Sequence, residues 1–143
     1  MLPGAYRGGI IEGQGDLRGH DVMGVMGMMS IFNIVEREHE RRFALVVSGD
    51  LDPMTAPRLE AAVARACTQG AREVEIDLGD VPFIDSAGIW ALLRAKEQCE
   101  ENRAGFFIVP GTHSQPKMVF RTMGLDDRLP WREPAPQPGA TSG

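Results

Sequence analysis

Two short acidic stretches hold the residues with the greatest chemical reach. The first is Asp85-Ser86-Ala87-Gly88, placed between a strand-like run ending Phe83-Ile84 and an apolar helical run that begins at Ile89. A serine hydroxyl is a weak nucleophile alone, yet it accepts a phosphoryl group when an enzyme activates it. At a helix N-terminus, backbone N–H groups and the helix dipole favour negative charge, so the fold tolerates a phosphate there. That phosphate adds about −1.5 to −2 charges. Ala87 and Gly88 are small, so an enzyme could approach Ser86 closely, and Ala87 leaves no second hydroxyl beside it. The second stretch is Ser48-Gly49-Asp50-Leu51-Asp52. Asp50, Asp52, Asp80 and Asp85 all fall at expected strand ends, so the sequence reading groups them at one end of a sheet. A partner surface that fits a neutral Ser86 would then meet a hydrated, like-charged group after phosphorylation and lose complementarity.

Plainer roles compete at each position. Asp85 or Ser86 serves equally well as a helix N-cap. Asp52 is placed to cap the first helix, with Pro53 in its first turn, and Thr55 reads as a helix-start residue. Ser86, Trp90 and Arg94 lie at i, i+4 and i+8 and share one helix face. Trp90 reads first as core packing and second as a partly exposed anchor for a partner. Glu97, Glu100 and Glu101 read as a solvated helix face.

Catalysis and metal binding are poorly served. Ser86 lacks a G-x-S-x-G elbow, and no histidine is placed by sequence to activate it. Asp50, Asp52, Asp77, Asp80 and Asp85 invite a magnesium site, but Asp77 belongs to an alternating strand and no phosphate loop is present. His20, His39 and His113 are scattered. Cys67 and Cys99 have no C-x-x-C or Cys/His neighbour, and read as reduced thiols in or near the core of a cytoplasmic protein rather than as a disulfide or metal pair. No cofactor is implied.

Positioning these residues falls to an α/β pattern. Residues 31–38 and 43–49 are strand-like and joined by the polar turn His39-Glu40-Arg41-Arg42, which predicts a hairpin. Leu59, Ala62, Val63, Ala66 and Cys67 recur at helical spacing, with Gly70 as a stop. Residues 72–78 alternate strictly, with Val74, Ile76 and Leu78 on one face and Glu73, Glu75 and Asp77 on the other. A second helix runs from about Ser86 to Asn102, with Ile89, Leu92, Leu93 and Cys99 as its apolar stripe. A strand at 106–110 and a short helix at 114–123 complete the order ββαβαβα, to which a short final strand near Leu129 is added. Strand-helix-strand repeats predict parallel pairing. The alternation in 72–78 predicts helices mainly on one face of a four- to five-stranded mixed sheet, since a sheet covered on both faces has near-continuous apolar strands.

The chain's 143 residues fit a single domain, residues 31–130, with tails. Residues 1–30 are rich in Gly and Met and read as a flexible extension. Met23, Met26, Met28 and Met29 offer an alternative translation start. Residues 131–143 are Pro/Gly-rich and read as a disordered tail. With 43% hydrophobic and 24% charged residues, the composition is that of a globular domain. A net charge of −5 predicts no attraction to nucleic acid or to an anionic membrane. No apolar run approaches the roughly 20 residues that span a bilayer, and no signal peptide is read at the N-terminus.

The tetrapeptide Asp85-Ser86-Ala87-Gly88, directly after its strand, resembles the STAS domain, specifically the bacterial anti-sigma factor antagonists. Ser48-Gly49-Asp50-Leu51-Asp52 resembles that family's Gly-Glu-Leu-Asp loop, and residues 118–125 resemble its third helix with a Gly-Leu ending. The resemblance covers residues 31–130 and implies a binding module rather than an enzyme. It implies an anti-sigma factor with serine kinase activity as partner, Ser86 as phosphoacceptor beside Asp85, and Asp52 near the contact. It also implies a serine phosphatase that resets the switch. The contact set on this reading is Asp50, Asp52, Asp85, Ser86, Ala87, Gly88, Trp90 and Arg94. Trp90 departs from the smaller residue expected there. The alternative within the same fold is a soluble STAS subunit of a transporter, lipid-transport or stress-sensing complex.

Overall fold

The structure is a computed structural model that describes residues 7–10, as backbone only, and residues 31–134. Strand β2 (Asn33–His39) turns back into β3 (Arg42–Ser48) through Glu40 and Arg41 alone, with His39 paired to Arg42. Both turn residues take positive φ, 51° and 65°, as a two-residue turn that follows the strand twist requires. The turn is thus two residues shorter than the polar run suggested, because His39 and Arg42 are already in the ladder.

From β3 the chain enters helix α1 (Ala56–Thr68), strand β4 (Glu73–Asp80), helix α2 (Ser86–Glu101), strand β5 (Gly105–Val109) and helix α3 (Ser114–Thr122). β2 and β3 are antiparallel, whereas β3, β4 and β5 are parallel neighbours. A further strand, β1 (Arg7–Ile10), pairs antiparallel with β2, giving the order β1-β2-β3-β4-β5. β1 falls inside the segment read as a flexible extension; the rest of 1–30, including the methionine cluster, lies outside the described residues.

Period-two alternation decides which face is covered. Ile34, Phe43, Leu45, Val47, Val74, Ile76, Leu78, Phe106 and Ile108 join one buried cluster with Leu59, Val63, Ile89 and Leu92 from the helices. The opposite face carries Glu73, Glu75 and Asp77 at intermediate burial. In α2 the stripe is wider than the large residues alone indicate, because Ala91 and Ala95 are also buried and let α2 lie close to its neighbours. Leu93 is only half-buried.

The start of the segment read as a disordered tail is docked. Trp131 bridges Ile108 in parallel, Ile108 N donates to Pro130 O at 3.0 Å, and Arg132 N donates to Ile108 O at 2.8 Å. This is the short final strand, two residues later than Leu129. Its side chains alternate: Trp131 packs edge-on against Phe120 with centroids 4.9 Å apart. Arg132 reaches Glu73 and Glu75 at 2.8 and 2.9 Å and lies 3.7 Å from the Phe107 ring centroid. Residues 135–143 lie outside the described residues. Trp131→Ala is expected to lower unfolding stability by about 1–3 kcal/mol in urea titration; a change below about 0.5 kcal/mol, within ordinary surface variation, would contradict this docking.

Candidate functional site

The site is built at the sheet end where β3 and β4 stop. Leu51 pairs in parallel with Ile84, beyond the last residues of both strands. Leu51 N donates to Phe83 O at 2.9 Å, and Asp85 N donates to Leu51 O at 3.2 Å. The two acidic stretches therefore share a backbone ladder. Gly49 N donates to Asp80 O at 3.1 Å and sets the register below it. Gly49 has φ +96°, and a Cβ on it would lie 2.7 Å from Phe32 Cα, so no other residue fits comfortably.

Asp85 is the N-cap of α2. Its backbone is extended, and Oδ1 accepts from Ala87 N at 2.9 Å and Gly88 N at 3.2 Å. Ser86 is the first helical residue and is exposed. The two plain readings thus separate: the aspartate caps and the serine points outward. Gly88 is buried against the ladder, where an added Cβ would meet Ile84 Cγ1 at 2.6 Å and Leu51 Cβ at 2.9 Å. Its smallness lets α2 start directly over the bridge.

Asp52 also works locally. Its Oδ1 accepts from Met54 N at 2.9 Å, Thr55 N at 3.1 Å and the Thr55 hydroxyl at 3.2 Å. The Thr55 hydroxyl donates to Asp50 O at 2.7 Å. Asp52 therefore organises the turn before α1 rather than α1 itself, whose N-cap is Thr55 and whose early proline is Pro57, not Pro53. Asp80 faces His113, with Oδ1 3.8 Å from Nε2. The aspartates share the sheet end, but Asp52 and Asp85 turn carboxylate oxygens into their own loops. Among the described residues, no group of three His, Cys, Asp or Glu side chains is placed to hold a metal ion.

Along α2, Trp90 is 57% exposed and does not pack in the core. The reason is positional: Gly88, Ile89, Ala91 and Leu92 take the inward places around it. Arg94, one turn on, is exposed and binds Glu60 of α1 at 2.9 Å. That contact pushes the Arg94 guanidinium further above its ordinary pKa. Ser86, Trp90 and Arg94 thus lie along one exposed face, as their spacing required.

A profile of the STAS domain matches residues 33–135. The chain belongs to the STAS domain family. An anti-sigma-B factor antagonist of Staphylococcus epidermidis is 26% identical over 97 residues, covering 68% of this chain and 89% of the relative. The crystal structure of an anti-sigma factor antagonist from Mycobacterium paratuberculosis has 27% identity and a TM-score of 0.64, covering 73% of this chain and 87% of that one. SpoIIAA of Bacillus, an anti-sigma factor antagonist solved unphosphorylated and phosphorylated, shares the fold at 20% identity, with TM-scores of 0.56 and 0.52. Each form covers 73% of this STAS chain, and this chain covers 89% and 92% of them respectively.

Three features of this STAS site were not foreseen. Gln115, in the first turn of α3, donates its amide to Ile84 O at 3.0 Å and accepts from Ile84 N at 2.9 Å. No local pattern signals a pairing across that sequence distance. Met54 and Phe83, 81% and 39% exposed, stand in the two loops joined by the ladder. Asp85→Ala is expected to cost about 1 kcal/mol, with Asp85→Asn near neutral because asparagine caps equally well. Gly88→Ala is expected to cost about 1–3 kcal/mol through overpacking. Thermal unfolding of the three variants checks both; an Asp85→Ala protein as stable as wild type would remove the capping assignment.

Proposed function

We propose that this STAS domain is an anti-sigma factor antagonist in which Ser86 is the phosphoacceptor and the surface around it is the partner contact. The observation that carries the reading is the exposed Ser86 at the first position of α2, beside an Asp85 that already occupies the Ala87 and Gly88 N–H groups. A kinase partner transfers the γ-phosphoryl group of ATP to Ser86 Oγ, with loss of the hydroxyl proton and release of ADP. Two of the helix-start donors are taken, so the phosphate competes with the Asp85 carboxylate for them and stays at the surface. The charge at the contact changes by about −1.5 to −2 while the core beneath is untouched. A partner shaped for the neutral hydroxyl then desolvates a like-charged group against Asp85, and affinity falls. A serine phosphatase restores the hydroxyl.

Met54, Phe83 and Trp90 supply the apolar part of the same contact. All three are exposed in loops or at a helix start around the ladder. A fully desolvated tryptophan carries a large share of binding energy at an interface. The exposed Trp90 favours the anchor role over core packing.

Baits of wild type, Ser86→Ala and Ser86→Asp, drawn through extract of the native host, test this reading. An anti-sigma factor with kinase activity is expected on wild type and Ser86→Ala, and at least about tenfold less on Ser86→Asp, equivalent to 1.4 kcal/mol. Trp90→Ala is expected to weaken the same contact by about 2 kcal/mol without altering thermal stability. Transporter subunits, or a partner set indifferent to Ser86, would refute the switch and return Ser86 to a helix-start residue.

A further inference from the structure

Helix α3 carries Lys117 and Arg121 one turn apart, and both side chains are exposed. Among the described residues, neither is in an ion pair. Both stand on the rim of a cleft of about 260 Å³ that opens between α3 and the final strand. Its apolar wall is Pro110, Phe120 and Trp131, and Asp126 completes the rim. A second cleft of about 350 Å³ shares Pro110 and Trp131 with it and runs out beside Pro134. We propose that the cleft between α3 and the final strand is a binding site for a small aromatic carboxylate, with the ring against Trp131 and Pro110 and the carboxylate between Lys117 and Arg121.

The wall is fixed before anything binds. Phe120 is buried and seats α3 on the core. Trp131 meets it edge-on, with the ring planes at 69°. The indole Nε1 donates to Leu125 O at 3.3 Å, so the tryptophan offers the cleft an apolar ring and no spare donor. A flat, apolar body covers such a wall without leaving a polar group dry. The charges on the rim select the rest of the ligand. Lys117 and Arg121 set against Asp126 leave a surplus of one positive charge, which a monoanion balances. A phosphate carries about −1.5 to −2 charges, and Asp126 opposes the excess. An ammonium and a guanidinium one turn apart can share the two oxygens of one carboxylate, and the apolar wall beside them limits the water that would weaken the contact. A mostly apolar cleft with a few convergent polar groups is the usual make-up of a small-molecule site. The site is made by α3 and the final strand and does not involve Ser86, so it stands or falls apart from the phosphoacceptor.

The test is a titration of the folded full-length protein with naphthoate, followed by proton–nitrogen NMR. Expected are saturating shifts of the Trp131 indole N–H and of the α3 amides, with a Kd below about 1 mM, while the Trp90 indole signal stays in place. Naphthalenemethanol keeps the rings and loses the charge; it should bind at least about tenfold more weakly, the loss expected of a charge-assisted contact. Inorganic phosphate keeps the charge and loses the rings, and should leave the Trp131 signal unmoved. The double variant Lys117→Ala, Arg121→Ala alters only exposed side chains. It should keep the wild-type melting temperature and lose at least about tenfold in naphthoate affinity. Equal binding of the alcohol, an equal response to phosphate, shifts that do not saturate or that centre on Trp90, or a double variant that binds as wild type does would each overturn the proposal.

Discussion

Everything at the site depends on a very small piece of sheet. The single parallel pairing of Leu51 with Ile84 joins two loops that would otherwise leave the ends of β3 and β4 independently. Three backbone hydrogen bonds, from Gly49, Leu51 and Asp85, hold this extension. Its geometry then dictates residue size above it: only a glycine at position 88 lets the helix begin so close to Leu51 and Ile84. The position of Ser86 in space is thus set by main chain rather than by its own side-chain packing.

The division of labour between Asp85 and Ser86 follows from that constraint. A helix start has unsatisfied N–H groups, and something must meet them. Here a carboxylate one residue earlier meets two of them, leaving the hydroxyl uncommitted to the fold. The Asp52 turn repeats the solution at the neighbouring loop, where one oxygen accepts from two backbone N–H groups and a hydroxyl. Asp52 and Asp85 are therefore structural first, and their negative charge becomes part of the surface as a by-product.

The fold was largely legible because periodicity reports directly on burial. The strict alternation of residues 73–78 announced a sheet covered on one face, and the Leu59-to-Cys67 spacing announced a helix over it. What the sequence could not carry were relations between distant segments. The Gln115 clamp on Ile84 and the Glu60–Arg94 pair depend on how helices lie across the sheet. Trp90 shows the same limit on a smaller scale: residue type alone favoured the core, and the inward positions had already gone to smaller neighbours. Composition misled at Trp131, because the first two residues of the proline-rich run, Trp131 and Arg132, find partners in the domain.

The amide clamp of Gln115 has a dynamic consequence. Both polar groups of the Ile84 backbone are satisfied by one side chain from α3 rather than by a neighbouring strand. Within α3, only Pro116 and Phe120 are buried, so it has few apolar contacts to resist opening. Local unfolding free energy follows such contacts. The protection of the Ile84 amide against exchange with solvent is therefore limited by the opening of α3, and the loop that leads into Ser86 inherits the lifetime of one of the least firmly seated helices in the domain.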